Sequence, residues 1–167
     1  MMYATLEGLR RFNIPHNFEV VSIISLYAQW IREGRLKVDP AWNTEGLKFS
    51  VQDPCKLVRQ TLGDPVADDL RFVIKAVVGE ENFIDVWRNK SNNYCCGGGG
   101  GALQAGFVAN RRQHGKTKFD QLNATGADVV ITPCHNCHTQ VMDICEHFGG
   151  NWQTTHLWGW IVKALIR

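Results

Sequence analysis

The sequence predicts an open α/β fold with a mostly parallel sheet and helices on both faces. Strand-like and helix-like apolar patterns alternate along the chain, which is typical of βαβ units. Residues 128–132 hold three successive aliphatic side chains, as a buried central strand does. Cysteine-bearing loops follow the predicted strands, and open α/β sheets bind ligands beyond the carboxyl ends of their strands.

Six elements are predicted in the first half of the chain. Helices have apolar residues three or four positions apart, strands alternate apolar and polar residues, and Gly34 and Gly79 end the second and third helices. In order, the elements are helix 3–13, strand 17–21, helix 23–31, strand 47–51, helix 65–78 and strand 82–87.

The second half predicts one strand and three helices. A long helical pattern covers residues 102–124, with Gly115 as a candidate break. Strand 128–132 follows, and then a helix over 134–148 that Gly149 ends. A tryptophan-rich helix over 157–166 closes the chain.

Length and composition are those of a single soluble domain. The 167 residues are 44% hydrophobic and 20% charged, and a net charge of +2 is too small to favour nucleic acid. No apolar run is long enough to predict a membrane span. The N-terminus does not have the layout of a signal peptide, so we expect a cytoplasmic protein with cysteines that are reduced or bind metal.

The cysteines occur at three places along the chain. Cys95 and Cys96 are adjacent and run into five glycines, a sequence that a helix or strand accepts poorly. Cys55 follows strand 47–51, and a CxxC motif, Cys134 to Cys137, follows strand 128–132. All three sites are therefore expected at or near the carboxyl edge of the sheet.

This pattern favours a multi-iron cluster over a single metal ion. A CxxC pair at the start of a helix supplies two soft ligands on one side. Adjacent side chains of an extended segment point to opposite sides, so a vicinal pair suits a larger cluster, and five thiolates exceed the four that tetrahedral zinc or a cubane cluster accepts. The predicted ligands are Cys55, Cys95, Cys96, Cys134 and Cys137, with Gly97, Gly98 and Gly99 as backbone donors to the cluster.

Several other interpretations use the same residues. The main alternative is a structural zinc site formed by four of the five thiols. The chain would then be a zinc-stabilised interaction module without redox activity. Residues 134–138 also fit the c-type haem motif, and the CxxC alone fits a redox dithiol, but both leave the other cysteines unexplained. The glycine run lacks the Gly-Lys-Ser/Thr of a phosphate loop. Cys145 lies on an apolar helical stripe and is expected in the core.

Cys55, Cys95-Cys96-Gly97 and Cys134-x-x-Cys137 resemble, in order and spacing, the cysteine-rich CCG domain of heterodisulfide reductases and related iron–sulfur oxidoreductase subunits. The resemblance covers roughly residues 18–150. It implies a Rossmann-like α/β fold and a noncubane [4Fe-4S] cluster that performs two-electron, disulfide-type chemistry. Similar motifs bind zinc in some relatives.

The resemblance also implies partners and a location. The expected partners are other subunits of an electron-transfer complex and a disulfide or other small redox substrate, in the cytoplasm or at the cytoplasmic face of a membrane-bound respiratory complex. Family subunits usually carry two CCG motifs, so residues 1–167 are expected to be one domain from the C-terminal part of a longer subunit. Gln52 stands where many members have His.

The histidines beside the CxxC motif are candidate proton donors. His135 lies within the motif and His138 follows it directly. A histidine there can protonate a leaving thiolate, or it can simply support the metal ligands. The remaining histidines, His16, His114, His147 and His156, have no predicted role.

Overall fold

The computed structural model describes residues 2–166, with the side chains of residues 4–166. Within that range it has seven α-helices and one three-stranded sheet, and none of the helices is long and apolar enough to cross a bilayer. The helices are α1 (Met2–Arg11), α2 (Ile23–Arg32), α3 (Cys55–Leu57), α4 (Asp64–Val78), α5 (Val108–Asn123), α6 (His135–Phe148) and α7 (Leu157–Ala164). The strands are β1 (Phe49–Val51), β2 (Val129–Ile131) and β3 (Gln153–Thr155). A π-helical turn over Val58–Leu62 continues α3, and 3-10 turns cover Pro40–Trp42, Glu80–Asn82 and Lys90–Asn92.

The sheet is parallel throughout, in the order β1-β2-β3. Phe49 pairs with Val129, and Val129 pairs with Gln153, so the strand predicted over 128–132 is the central one. The Gln52 N–H donates to the carbonyl of Ile131 at 2.9 Å, which extends this pairing past the end of β1. The carboxyl ends of all three strands therefore meet at one edge.

Helices cover both faces of the sheet, as predicted. Val129 and Ile131 belong to a large buried cluster with residues of α2, α4 and α7. Val130 points the other way, into a smaller cluster with Leu122 of α5 and Val141 of α6. The alternation of side chains along β2 thus separates an aliphatic face, covered by α2, α4 and α7, from a second face covered by α5 and α6.

Two predicted strands are wrong. Residues 17–21 form no strand in the described structure, because they are mostly exposed and do not pack on the sheet. Of residues 82–87, only Phe83 forms a parallel bridge, to Phe49, and the Ile84 N–H donates to the Phe49 carbonyl at 2.8 Å. The segment then turns away toward the cysteine loop.

The region around the glycine run also differs from expectation. The helix predicted over 102–124 begins only at Val108, because Gly100, Gly101 and Gly106 adopt positive φ and form turns. Gly115 does not break it. Strand β3 was not predicted, because its sequence, Gln-Thr-Thr, is polar and it lies at the edge of the sheet.

Candidate metal centre

The three cysteine loops converge at the carboxyl edge of the sheet. Cys55 is the first residue of α3, four residues after β1 ends at Val51, and Cys134 is the N-cap residue of α6, just beyond β2. Cys95 and Cys96 follow the 3-10 turn that ends at Asn92. The parallel pairing of β1 with β2 brings the first two loops side by side, and the third loop lies against them.

Five thiols form one continuous row of sulfur contacts. Side-chain interactions that shift the thiol pKa values connect Cys55 with Cys95, Cys95 with Cys96, and Cys137 with Cys134. The sulfurs of Cys96 and Cys137 lie 3.4 Å apart and join the two halves. All these cysteines are free thiols. The vicinal pair therefore has partners on two sides, since Cys95 contacts Cys55 while Cys96 contacts Cys137.

Contacts along the row raise the pKa values of some thiols and lower those of others. The hydrogen bond between Cys55 and Cys95 raises the pKa of the former and lowers the pKa of the latter. The hydrogen bond between Cys134 and Cys137 lowers the pKa of Cys134 to about 6 and raises that of Cys137. For Cys96, the bond with Cys137 lowers the pKa, but the bond with Cys95 and burial outweigh it and raise the value to about 11. Metal binding to the row must therefore displace protons.

The sixth cysteine lies apart from this row. Cys145 is buried at 7% exposure, and its thiol donates to the Trp152 carbonyl at 3.4 Å. Burial raises the pKa of this thiol. These features place Cys145 in the core, as its apolar stripe indicates.

The glycines after the cysteine pair have two different surroundings. A Cβ on Gly97 would lie 2.7 Å from the Arg111 carbonyl oxygen, and a Cβ on Gly98 would lie 2.6 Å from Cβ of Gln140. Both glycines are needed because α5 and α6 press against the loop. A Cβ on Gly99 would meet nothing within 4 Å. The Gly97 N–H donates to the Cys95 sulfur at 3.4 Å, so at least one backbone donor points toward the thiol row.

Gly115 on α5 also serves the cysteine loop. A Cβ at this position would lie 2.9 Å from the Cys96 carbonyl oxygen and 2.9 Å from Ile144 Cγ2. The residue therefore allows α5 to approach both Cys96 and α6 closely. The sequence indicated this glycine only as a candidate helix break, because the close approach of another segment is not visible in the local pattern.

A buried ion pair anchors the segment that carries Cys55. The guanidinium of Arg71 on α4 donates to both carboxylate oxygens of Asp53 at 2.9 Å, and it also binds Asp85 at 2.8 Å. Asp53 is fully buried. Bidentate pairing with an arginine is a geometrically demanding contact, so Asp53 is held firmly just before Pro54 and Cys55. The sequence signal for this pair is an acidic residue at the end of a buried strand and an arginine on the apolar stripe of α4.

Asn93 ties the second cysteine loop to the first. Its side-chain amide donates to the Asp53 carbonyl at 2.7 Å, and Arg59 donates to the Asn93 carbonyl. Asn93 is 2% exposed and lies two residues before Cys95. The loops of Cys55 and Cys95 are therefore positioned by a shared set of buried hydrogen bonds.

Cys95 opens to solvent on two sides. Cavities of ≈ 710 Å³ and ≈ 730 Å³ share three lining residues, Cys95, Asn110 and His114. Gly99 lines the first of them. The charge of His114 adds to the effect of Cys55 in lowering the pKa of the Cys95 thiol. His114, which had no predicted role, is therefore a neighbour of the site, and its position became apparent only from the packing of α5.

His135 and His138 form a stack with a third histidine. The ring centroids of His138 and His156 are 4.2 Å apart, and those of His135 and His156 are 6.3 Å apart. Nδ1 of His156 donates to the Thr132 carbonyl at 3.1 Å, which fixes the ring at the end of β2. Burial, together with the charges of His156 and His135, lowers the pKa of His138. His156 thus belongs to this group, although no role was predicted for it.

Two buried side-chain oxygen atoms at the same edge lack a hydrogen-bond partner among residues 4–166. Gln52 is fully buried; its amide nitrogen donates to the Asp53 carbonyl at 3.0 Å and lies 4.0 Å from the Cys137 sulfur, while its Oε1 atom accepts no hydrogen bond. The hydroxyl of Thr132 is equally buried and unpaired. An unsatisfied buried polar atom costs about 1–3 kcal/mol, so these two atoms are candidates for contact with a bound group.

The donor set fits an iron–sulfur group. Iron–sulfur clusters are held by cysteine thiolates, and the row supplies five free cysteines that become thiolates when they bind metal. Across the residues that the structure describes, no group of three or more His, Cys, Asp or Glu side chains is arranged to hold one metal ion.

Comparison with known families agrees with the geometry of the site. Comparison with curated proteins gives no match. The family model of the CCG cysteine-rich domain matches residues 49–142, which is more than half of the chain and includes all five thiols of the row. This confirms the resemblance seen in the sequence. The chain belongs to the CCG cysteine-rich domain family, which is associated with redox iron–sulfur proteins.

Proposed function

We propose that this chain is the iron–sulfur domain of a heterodisulfide reductase-like oxidoreductase and holds a noncubane [4Fe-4S] cluster. The observation that supports the proposal is the single row of sulfurs drawn from three separate loops at the carboxyl edge of the sheet. The proposed ligands are Cys55, Cys95, Cys96, Cys134 and Cys137. When bound, the cluster supplies two-electron, disulfide-type redox chemistry at this edge.

The burial of the thiols supports a direction of approach for the substrate. Cys96 and Cys137 are 3% and 5% exposed, so they form the inner, water-excluding part of the site. Cys95 lines both open cavities. A disulfide or another small two-electron acceptor would therefore reach the site beside Cys95, while other subunits of an electron-transfer complex deliver electrons.

The candidate proton donors extend to His114. His135 and His138 of α6 stack with His156, whereas His114 lines both cavities together with Cys95. A histidine beside the cavity can donate a proton to a leaving thiolate. His114→Gln should then lower the rate of disulfide reduction while the iron content stays unchanged.

Metal analysis with visible and EPR spectra of the anaerobically purified chain tests the proposal. We expect iron and sulfide with a brown chromophore. Stoichiometric zinc without a chromophore would overturn the cluster proposal and support the zinc-stabilised interaction module.

A matched pair of variants tests the ligand assignment. Cys96→Ala should remove or alter the cluster spectrum, because Cys96 connects the two halves of the row. Cys145→Ala should leave the spectrum unchanged, because that thiol lies in the core beside Trp152. Equal loss of the cluster in both variants would contradict the core assignment of Cys145.

A further inference from the structure

Lys118 of α5 is a fully buried charged residue. Its side chain is 0% exposed, whereas lysines are almost never fully buried unless they are paired. The ammonium group donates to Oδ1 of Asn93 and to Oε1 of Gln121, which are both neutral amide oxygens. No salt bridge to Lys118 exists in the described part of the chain. A buried charge without a counter-charge destabilises the fold, so the presence of the Lys118 ammonium needs an explanation.

The groups that act on this ammonium belong to the cysteine site. Burial lowers the pKa of Lys118 to about 8, against the opposing effects of Asp53, Cys96, Cys55 and Cys137. The Asp53 carboxylate is already bound on both oxygens by Arg71. The sulfurs of Cys96, Cys55 and Cys137 are therefore the remaining groups, and they become negative when they bind a metal as thiolates.

Asn93 connects Lys118 directly to the cysteine loop. The Asn93 side chain accepts from Lys118 through Oδ1 and donates to the Asp53 carbonyl through Nδ2 at 2.7 Å. It lies two residues before Cys95. The Lys118 ammonium therefore lies beside the cysteine loop, bound to a residue that also lines one of the two cavities at Cys95.

We propose that Lys118 is a positioning residue whose buried positive charge compensates the negative charge of the five-cysteine site and raises the reduction potential of the cluster held there. This inference rests on the proposed iron–sulfur function. Reduction adds negative charge to a cluster, and a fixed positive charge in a poorly solvated interior stabilises the reduced form more than the oxidised form.

The test is a redox titration of the anaerobically prepared, cluster-loaded chain, followed by EPR, with iron content measured first in every variant. Lys118→Met keeps a similar side-chain length and removes the charge. We expect its midpoint potential to fall by about 59 mV or more, which corresponds to a tenfold change in the one-electron equilibrium constant. Lys118→Arg keeps the charge and should retain most of the wild-type potential.

Lys116→Met is the matched control on the same helix. Lys116 has a side chain that is 47% exposed and pairs with Asp120, so water and salt screen its charge and the potential should not change. Loss of the cluster in both Lys118→Met and Lys118→Arg, or an unchanged potential in Lys118→Met, would overturn the charge role and leave the cluster proposal intact. A wild-type chain that holds zinc and no iron would overturn both.

Discussion

The two faces of the sheet are built from different side chains. The cluster on the aliphatic face consists entirely of Val, Ile, Leu, Phe and Ala residues from β1, β2, α2, α4, α7 and neighbouring segments. The cluster on the face covered by α5 and α6, the sulfur face, contains two cysteines and four aliphatic residues. Polar side chains are buried on this second side as well, among them Lys118, Gln121 and Gln140.

This difference assigns different tasks to the two faces. Apolar burial contributes stability in proportion to the area removed from water, so the aliphatic face carries most of the stability of the metal-free fold. The sulfur face relies on directional hydrogen bonds, such as those of Arg111 with Gln140 at 2.7 Å and 3.1 Å. Such groups position ligands precisely but contribute less net stability per contact. We expect the sulfur face to depend on the bound metal more than the aliphatic face does.

The largest effect is expected from a cavity on the aliphatic face. Leu70 of α4 is 0% exposed, and Leu70→Ala should lower the free energy of unfolding by about 2–5 kcal/mol. The iron content per folded molecule should not change, because Leu70 belongs to the aliphatic cluster. Urea denaturation followed by circular dichroism, together with iron analysis of the folded fraction, measures both quantities.

Val162→Ala is the control for this substitution. Val162 lies on α7 with 64% of its surface exposed, so truncation should change the free energy of unfolding by no more than about 0.5 kcal/mol. If Leu70→Ala lost iron in parallel with stability, the two faces would be coupled, and the assignment of separate tasks would be wrong.

Sequence patterns predicted the aliphatic face better than the sulfur face. Helix 65–78 and strand 128–132 match α4 and β2 closely. A buried aliphatic face produces a regular spacing of apolar residues, and this spacing is visible in the sequence. Strand β3 is polar and is held in the sheet by backbone pairing with β2. Backbone pairing produces no periodic pattern of apolar residues, so the sequence did not predict this strand. Residues 17–21 have a strand-like pattern but are mostly exposed and form no strand.

The cysteines of the site were identifiable from sequence, but their support was not. Thiols in a CxxC and a vicinal pair indicate metal chemistry by residue type alone. Asp53, Arg71 and Lys118 act through contacts between segments far apart in the chain, and only the folded structure brings these together. One signal was available for Lys118, since it shares the apolar stripe of α5 with Phe119 and Leu122.

A medium effect is expected from the glycines of the sulfur face. Gly97→Ala places a Cβ 2.7 Å from the Arg111 carbonyl at a φ of +88°. This overpacking should lower the free energy of unfolding by about 1–3 kcal/mol and reduce the iron content, because the Cys95–Cys96 loop must shift.

Gly99→Ala is the matched control two residues away. Its Cβ would meet no atom within 4 Å, so stability should change by no more than about 0.5 kcal/mol. Thermal unfolding and iron analysis of both variants give the comparison. Equal effects of the two substitutions would show that the glycine run acts through chain flexibility and not through the packing of α5 and α6.

The smallest effect is expected from the ion pairs that join α5 to α6. Arg111 and Arg112 of α5 bind the Asp143 carboxylate at 2.5 Å and 2.7 Å, and the hydrogen bond from Arg112 is the main cause that lowers the pKa of Asp143. A lowered folded-state pKa stabilises the fold above the unfolded pKa of about 3.9, and this contribution disappears as the pH falls through the folded value.

Asp143→Asn should therefore lower the free energy of unfolding at pH 7 by at most about 1 kcal/mol, since the group is only partly shielded from water. Urea titrations at pH 7 and at acid pH compare the variant with wild type, and the difference should shrink as the pH falls through the folded-state pKa and the wild-type carboxylate is protonated as well. Asp120→Asn, in the exposed pair with Lys116, should change stability less at both pH values. A deficit of Asp143→Asn that persists at acid pH would mean that α5 and α6 are joined at this position by side-chain packing and not by charge.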